Sequence, residues 1–212
     1  SEVGAIYFYH SSGQSVLHGV CGYDCCTTNS NNFQFGYIRV NNAISNKIYV
    51  NYSSIVRCVN ENSSPWQMLT LEYGKICCSS VNSSLNKCYY RSGITCWPSS
   101  DSSVTCSLTY SSFTDNYAAG SVCIVLNTES ANFEMKSCNI LRSAQGDVGT
   151  EGTVFTTGNL NIYDSCILEN TATYIFYQGS SSYTITLSNC TVDKTSSNGY
   201  LTTQNTVTKS FI

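Results

Sequence analysis

Leu160-Asn161-Ile162-Tyr163-Asp164-Ser165-Cys166-Ile167-Leu168-Glu169-Asn170 places apolar residues at offsets 0, 2 and 7, Ser at 5 and Asn at 10. The same order stands upstream at Phe133, Met135, Cys138, Ile140 and Ser143, and before that at Cys106, Leu108, Ser111, Phe113 and Asn116. Downstream it returns at Ile185, Leu187, Cys190, Val192 and Thr195. An outlying copy is Ile48, Val50, Ser53, Ile55 and Cys58. Self-similarity with a period of 25 to 27 residues is the signature of a solenoid.

Offsets 0 and 2 share one face of a strand, because side chains alternate with a period of two. The step from 2 to 5 breaks that alternation and calls for a bend one residue long, after which 5 and 7 point inward again. Lys136-Ser137, Asp164 and Ser188-Asn189 occupy the bend. Offset 10 closes a second corner, where stacked Asn side chains can hydrogen-bond to neighbouring rungs. A further strand recurs at Ser121–Leu126, Gly152–Thr157, Thr173–Gln178 and Tyr200–Gln204. This reads as an all-β fold, a single-stranded right-handed parallel β-helix of roughly seven to eight coils. One domain covers 1–212: irregular, cysteine-rich N-terminal rungs or a cap over 1–100, and regular rungs over 101–212. Strands are also expected at Ile6–Tyr9, Phe33–Val40, Ile48–Ile55 and Leu69–Ile76.

Composition narrows the function. Charged residues make up 11% of the 212, the net charge is -3, and no basic run supplies the phosphate neutralisation that nucleic-acid binding rests on. No apolar run reaches the length of a membrane-spanning helix, so this segment carries no span of its own. The chain opens on Ser1, which reads as a processed or truncated piece, with any anchor outside the sequence. Thirteen cysteines and the sequons at Asn51, Asn62, Asn82 and Asn189 favour an extracellular or cell-surface protein over a cytoplasmic one.

The cysteines divide by position. Cys21, Cys25, Cys26, Cys77, Cys78, Cys88 and Cys96 are disulfide candidates that would staple the N-terminal end; their connectivity is not deducible from sequence. Cys21-X3-Cys25-Cys26 and Cys77-Cys78 lack the paired spacing of a zinc site, with only His10 and His18 to assist. Cys138 and Cys190 fall at the small inward offset, so they read as packing residues two rungs apart, too distant to bridge. Cys166 sits one place past its inward Ser165 and should face outward or flank the bend.

Polysaccharide lyases and hydrolases also use parallel β-helices, and they need clustered carboxylates. The thirteen acidic residues here include no adjacent pair. Asp147 and Glu151 lie in a Gly-rich insertion, Ser143 to Glu151, that reads as a corner loop. Asp115, Glu169 and Asp193 line one corner as an acidic stripe of the type that suits calcium. No catalytic residue, metal ligand or other cofactor site is assigned.

Phe113-Thr114-Asp115-Asn116 and Gly152-Thr153-Val154-Phe155 resemble the Phe-X-X-Asn and Gly-Gly-Ala-Ile/Val motifs of polymorphic-outer-membrane-protein-like β-helices. The runs Cys138 to Leu141, Ser165 to Asn170 and Thr184 to Asp193 are similar to the uncharacterised, cysteine-containing β-helix proteins of trichomonad protists. That resemblance covers about residues 106 to 212 and implies a surface or secreted protein acting in adhesion. The expected function is therefore adhesive or structural and non-catalytic, with host or matrix glycans and proteins as partners and end-to-end stacking into filaments as a form of homo-oligomer. The alternative is a polysaccharide-acting enzyme.

Overall fold

The computed structural model describes residues 3–10, 12–25, 33–58, 67–120, 122–146 and 151–209. Among them there is no helix, and every strand pairing is parallel. The chain winds as a β-solenoid past three faces in turn. The first sheet has seven strands: Val3–His10, Phe33–Val40, Leu69–Glu72, Arg91–Trp97, Val122–Leu126, Val154–Thr156 and Phe176–Gln178. The second has eight, at Gln14–His18, Lys47–Asn51, Lys75–Ser79, Thr105–Thr109, Asn132–Lys136, Asn159–Tyr163, Ile185–Ser188 and Leu201–Gln204. The third also has eight: Cys21–Tyr23, Ser54–Val56, Asn82–Ser84, Ser112–Thr114, Asn139–Leu141, Cys166–Leu168, Thr191–Val192 and Val207–Thr208. A small fourth sheet joins Lys87–Cys88, Tyr117–Ala118 and Ala144–Gln145.

The five inward offsets become five vertical rows. On the second sheet, Ser15, Ile48, Ile76, Cys106, Phe133, Leu160, Ile185 and Leu201 stack over one another, beside Leu17, Val50, Cys78, Leu108, Met135, Ile162, Leu187 and Thr203. The third sheet continues with Gly22, Ile55, Ser83, Phe113, Ile140, Ile167 and Val192. The register thus runs on through three copies that the sequence pattern does not display, starting at Ser15, at Ile76 and at Leu201. Small or polar residues fill most of their apolar positions (Ser15 and Gly22, Cys78 and Ser83, Thr203 and Thr208), while Leu17, Ile76 and Leu201 stay apolar. At Gly22 the missing side chain makes room for Phe35 from the first sheet, whose ring carbon Cε2 lies 2.2 Å from where a Cβ would be.

Both bends are made by single residues in left-handed geometry. Between the second and third sheets stand Gly19, Tyr52, Ser80, Tyr110, Ser137, Asp164, Asn189 and Asn205, with φ from 46 to 65°. All but Asn205, in the last coil, turn the chain while the amide stays in the ladder, as when Tyr110 N–H donates to the Lys136 carbonyl and Ser137 N–H to that of Tyr163. Past the third sheet the same geometry returns at Asp24, Arg57, Leu85, Asp115, Arg142 and Glu169, with φ from 50 to 59°. L-residues in this region cost about 1–2 kcal/mol each, so the corners hold only because flanking hydrogen bonds fix them.

Those bonds come from the small polar rows. Ser53, Ser111 and Ser165 accept the amide of the neighbouring coil and donate back to the carbonyls of Asn51, Thr109 and Tyr163. Cys138 and Cys190 occupy the same row, each 1% exposed, and donate their thiols to carbonyls. At the second corner, Asn86 accepts from Cys58 N–H at 2.9 Å and donates to the Ile55 carbonyl at 3.0 Å. Asn116 and Asn170 repeat the device on Asn86 and Ser143.

Three strand expectations change. Ile48–Ile55 is divided by Tyr52, and Leu69–Ile76 by Tyr73 and Gly74, all at positive φ, so each covers strands of two different sheets. Tyr200–Gln204 belongs to the second sheet and not the first, because Leu201 pairs with Ile185. The first sheet contributes to that short last coil only the bridge Phe176 to Ser197.

Candidate binding face

The outward face of the first sheet gathers side chains that no core demand explains. Alternation sends Ile6, Phe8, Ile38 and Leu71 inward and leaves Tyr7, Tyr9, Tyr37, Arg39 and Glu72 pointing out. The register stacks Tyr7 on Tyr37 and Tyr9 on Arg39, with Glu72 over Arg39 and Trp97 over Glu72. Farther along the sheet, Thr70, Thr95 and Val125 also face outward yet are buried to 1% or less. Tyr7 and Tyr9, by contrast, are each 58% exposed.

The group is internally fixed. The Tyr7 and Tyr37 rings stack with centroids 5.5 Å apart. The Tyr37 hydroxyl donates to Glu72 Oε2 at 2.7 Å, and Arg39 Nε lies 3.6 Å from the same oxygen. The Arg39 guanidinium sits between two rings, 5.6 Å from the centre of Tyr9 and 5.0 Å from that of Tyr73. Burial, reinforced by the carboxylate it faces, pushes the Tyr37 phenol far above its ordinary value, so it stays protonated. Proximity to Tyr37 leads the effects that raise the Arg39 guanidinium further. What results is a rigid strip of bare aromatic surface flanked by one held cation and one held anion, suited to stacking and hydrogen bonding with a ligand laid along the coils. Tyr7-Phe8-Tyr9 and Tyr37-Ile38-Arg39 carry the alternation that marks the outer face of each strand, but the register that aligns the two comes only from the structure.

The residues singled out in the sequence lie elsewhere. Asn51 ends a second-sheet strand, Asn82 begins a third-sheet strand with its amide on Ser54 Oγ at 3.1 Å, and Asn189 is an exposed corner residue. Asn62 and Cys26 lie outside the described residues. Among the described residues, Cys21, Cys25, Cys77, Cys78, Cys88 and Cys96 stand as free thiols. Alternation sets their directions: Cys77 faces outward and its neighbour Cys78 inward, while Cys21 is exposed on the third sheet. Contact with Cys96, then burial, hold the Cys78 thiol high; Cys96 in turn is raised first by Cys106. Burial lifts Cys123 and Cys138 to about 11. Cys166 is half-buried on the outer third-sheet face, as its offset indicates.

Arg142 interrupts the corner stripe. Arg142 clasps Asp115 through Nε and a terminal nitrogen at 2.8 and 2.9 Å, its hydrogen bonds drawing that carboxyl below the usual range. Asp193 accepts the Glu169 amide at 2.7 Å. Arg142 therefore stands between Asp115 and Glu169, and the three carboxylates do not converge. No group of three His, Cys, Asp or Glu placed to hold a metal occurs among the described residues. In the insertion, Ala144–Gln145 pairs with Tyr117–Ala118, and Asp147 lies outside the described residues.

Comparison with protein-family models, with curated proteins and with solved structures finds no match to this chain.

Proposed function

We propose that this is a non-catalytic surface or secreted β-solenoid that adheres to host or matrix glycans or proteins through the outward face of its first sheet. The observation that carries the reading is the strip of exposed Tyr7 and Tyr9 with Arg39 and the half-buried Tyr73, held in place by Glu72 and Tyr37. The sugar-ring faces of glycans and the aromatic side chains of proteins both fit such a strip. The sequence resemblance to trichomonad β-helix proteins supports the same direction, as do the sequons and the high cysteine count. Val3–His10 pairs along one edge, with Phe33–Val40, among the described residues, so end-to-end addition of a second copy belongs to the same reading.

Immobilised protein titrated with neutral and acidic polysaccharides tests the adhesive reading. Tyr9→Ala and Tyr7→Ala are expected to weaken binding about tenfold, the scale of one lost aromatic contact, and Tyr200→Ala, also exposed, to leave it unchanged. Equal effects from all three, or no binding at all, would count against this face.

One observation favours a second reading, an enzyme acting on polysaccharide. Tyr37, Glu72 and Arg39 are an acid, a base and a cation within one contact network beside the exposed rings of Tyr7 and Tyr9. New reducing or unsaturated ends from a charged polysaccharide, abolished by Glu72→Gln, would replace the adhesive reading with this one.

A further inference from the structure

Where Asn86, Asn116 and Asn170 form the second-corner row, the first two coils carry Cys25 and Cys58. Tyr23 pairs with Val56, and Asp24 N–H donates to the Val56 carbonyl, so two residues on Cys25 lies directly beneath Cys58. The thiols are equivalently placed: Cys25 donates to the Tyr23 carbonyl and Cys58 to that of Val56, each two residues back. Directly stacked positions in neighbouring parallel strands are about 4.8 Å apart, inside the Cα range that a disulfide spans. Access differs between them. Cys58 is fully buried, whereas Cys25 is half-buried at the edge of the stack and open to a reagent. The Cys78, Cys96 and Cys106 thiols have no such opening, all three being sealed in the core.

We propose that Cys25 and Cys58 are a cross-linking pair that joins the first two coils when the protein meets a small-molecule disulfide. The Cys25 thiolate attacks the reagent, forming a mixed disulfide and releasing one thiol. The Cys58 thiolate then attacks the Cys25 sulfur and releases the second. Two protein S–H bonds and one reagent S–S bond are exchanged for one protein S–S bond and two reagent S–H bonds, so the protein loses the two electrons that the reagent gains. Burial, more than any neighbour, pushes the Cys58 thiol up to about 12. The groups around it are the Cys25 amide and thiol, the Cys88 thiol of the next coil and the mutually neutralised Asp24–Arg57 pair on the outer corner. The closing step should therefore accelerate by about tenfold per pH unit between roughly 7 and 10, as the thiolate fraction grows.

The test is to treat the whole protein with oxidised glutathione, block remaining thiols under denaturing conditions and digest with trypsin. Cleavage after Arg39 and Arg57 puts Cys25 and Cys58 on separate peptides. The expected result is a linked pair of these peptides, unchanged in Cys21→Ser and reduced about tenfold or more in Cys25→Ser and Cys25→Ala. A blocked, unlinked Cys58 after full oxidation would overturn the proposal. So would a link that survives both Cys25 variants, since the partner would then be Cys21 or Cys26.

Discussion

Asn116 makes one bond to each side of its corner, accepting from Asn86 N–H at 3.0 Å and donating to the Ser83 carbonyl at 2.8 Å. With the residue 1% exposed, truncation leaves a donor and an acceptor without partners in a place water does not reach. Asn116→Ala is expected to cost about 2–4 kcal/mol, read as a lower urea midpoint at unchanged slope. Leu85 gives the opposite case. It is 47% exposed and sits at a φ of 57°, where a branched side chain has no favourable geometry. Leu85→Gly should stabilise the fold by about 0.5–1 kcal/mol, the left-handed penalty less the entropy of glycine. An unchanged or lower melting temperature would contradict that balance. Asn116 was legible in the sequence because Asn recurs at its offset. Leu85 was not, since its geometry is imposed by the neighbouring coils and its identity departs from every residue that favours it.

At the level of elements, the strands and bends of the second and third sheets were readable wherever an offset kept one chemical character, as from Cys106 to Val192. Ser15, Ile76 to Asn86 and Gly22 escaped because the core tolerates a small residue when another element fills the space, as Phe35 does. The binding strip escaped for a different reason. Its members come from separate coils whose spacing varies, 33 residues between Gly13 and Asn46 and 28 between Cys58 and Asn86. Nothing in a fixed period aligns Tyr9 with Arg39. The Asp115–Arg142 clasp between neighbouring coils makes a pH-dependent contribution of known sign. The Asp115 carboxyl is lowered in the folded state, so its contribution is complete above the unfolded carboxylate range, near pH 4, and is lost as pH falls through the lowered value. The pair is largely exposed, and screening leaves a few tenths of a kcal/mol. Asp115→Asn should thus melt slightly below the unaltered protein at pH 7 in low salt, and the gap should vanish by about pH 2 or in about 1 M salt. A gap that persists under both conditions would assign Asp115 a role beyond the ion pair.

Over the whole molecule, the corners acquire a meaning that no single coil reveals. Tyr, Arg, Leu, Ser, Asp, Glu and Asn all serve at the left-handed positions, so the bends are set by the backbone and not by side-chain identity. A coil is then an interchangeable unit, bounded by two bends and stacked through parallel ladders that are alike from one level to the next. Excising residues 106–132, which joins Thr105 to Phe133, returns every following residue to its former row one level down. That shortened chain should fold with the same far-ultraviolet signature and a smaller denaturant slope. Removing Tyr110 alone should cost far more stability than excising the whole coil, because a one-residue slip exchanges inside for outside. The molecule can therefore be lengthened or shortened by the level, but not edited by the letter.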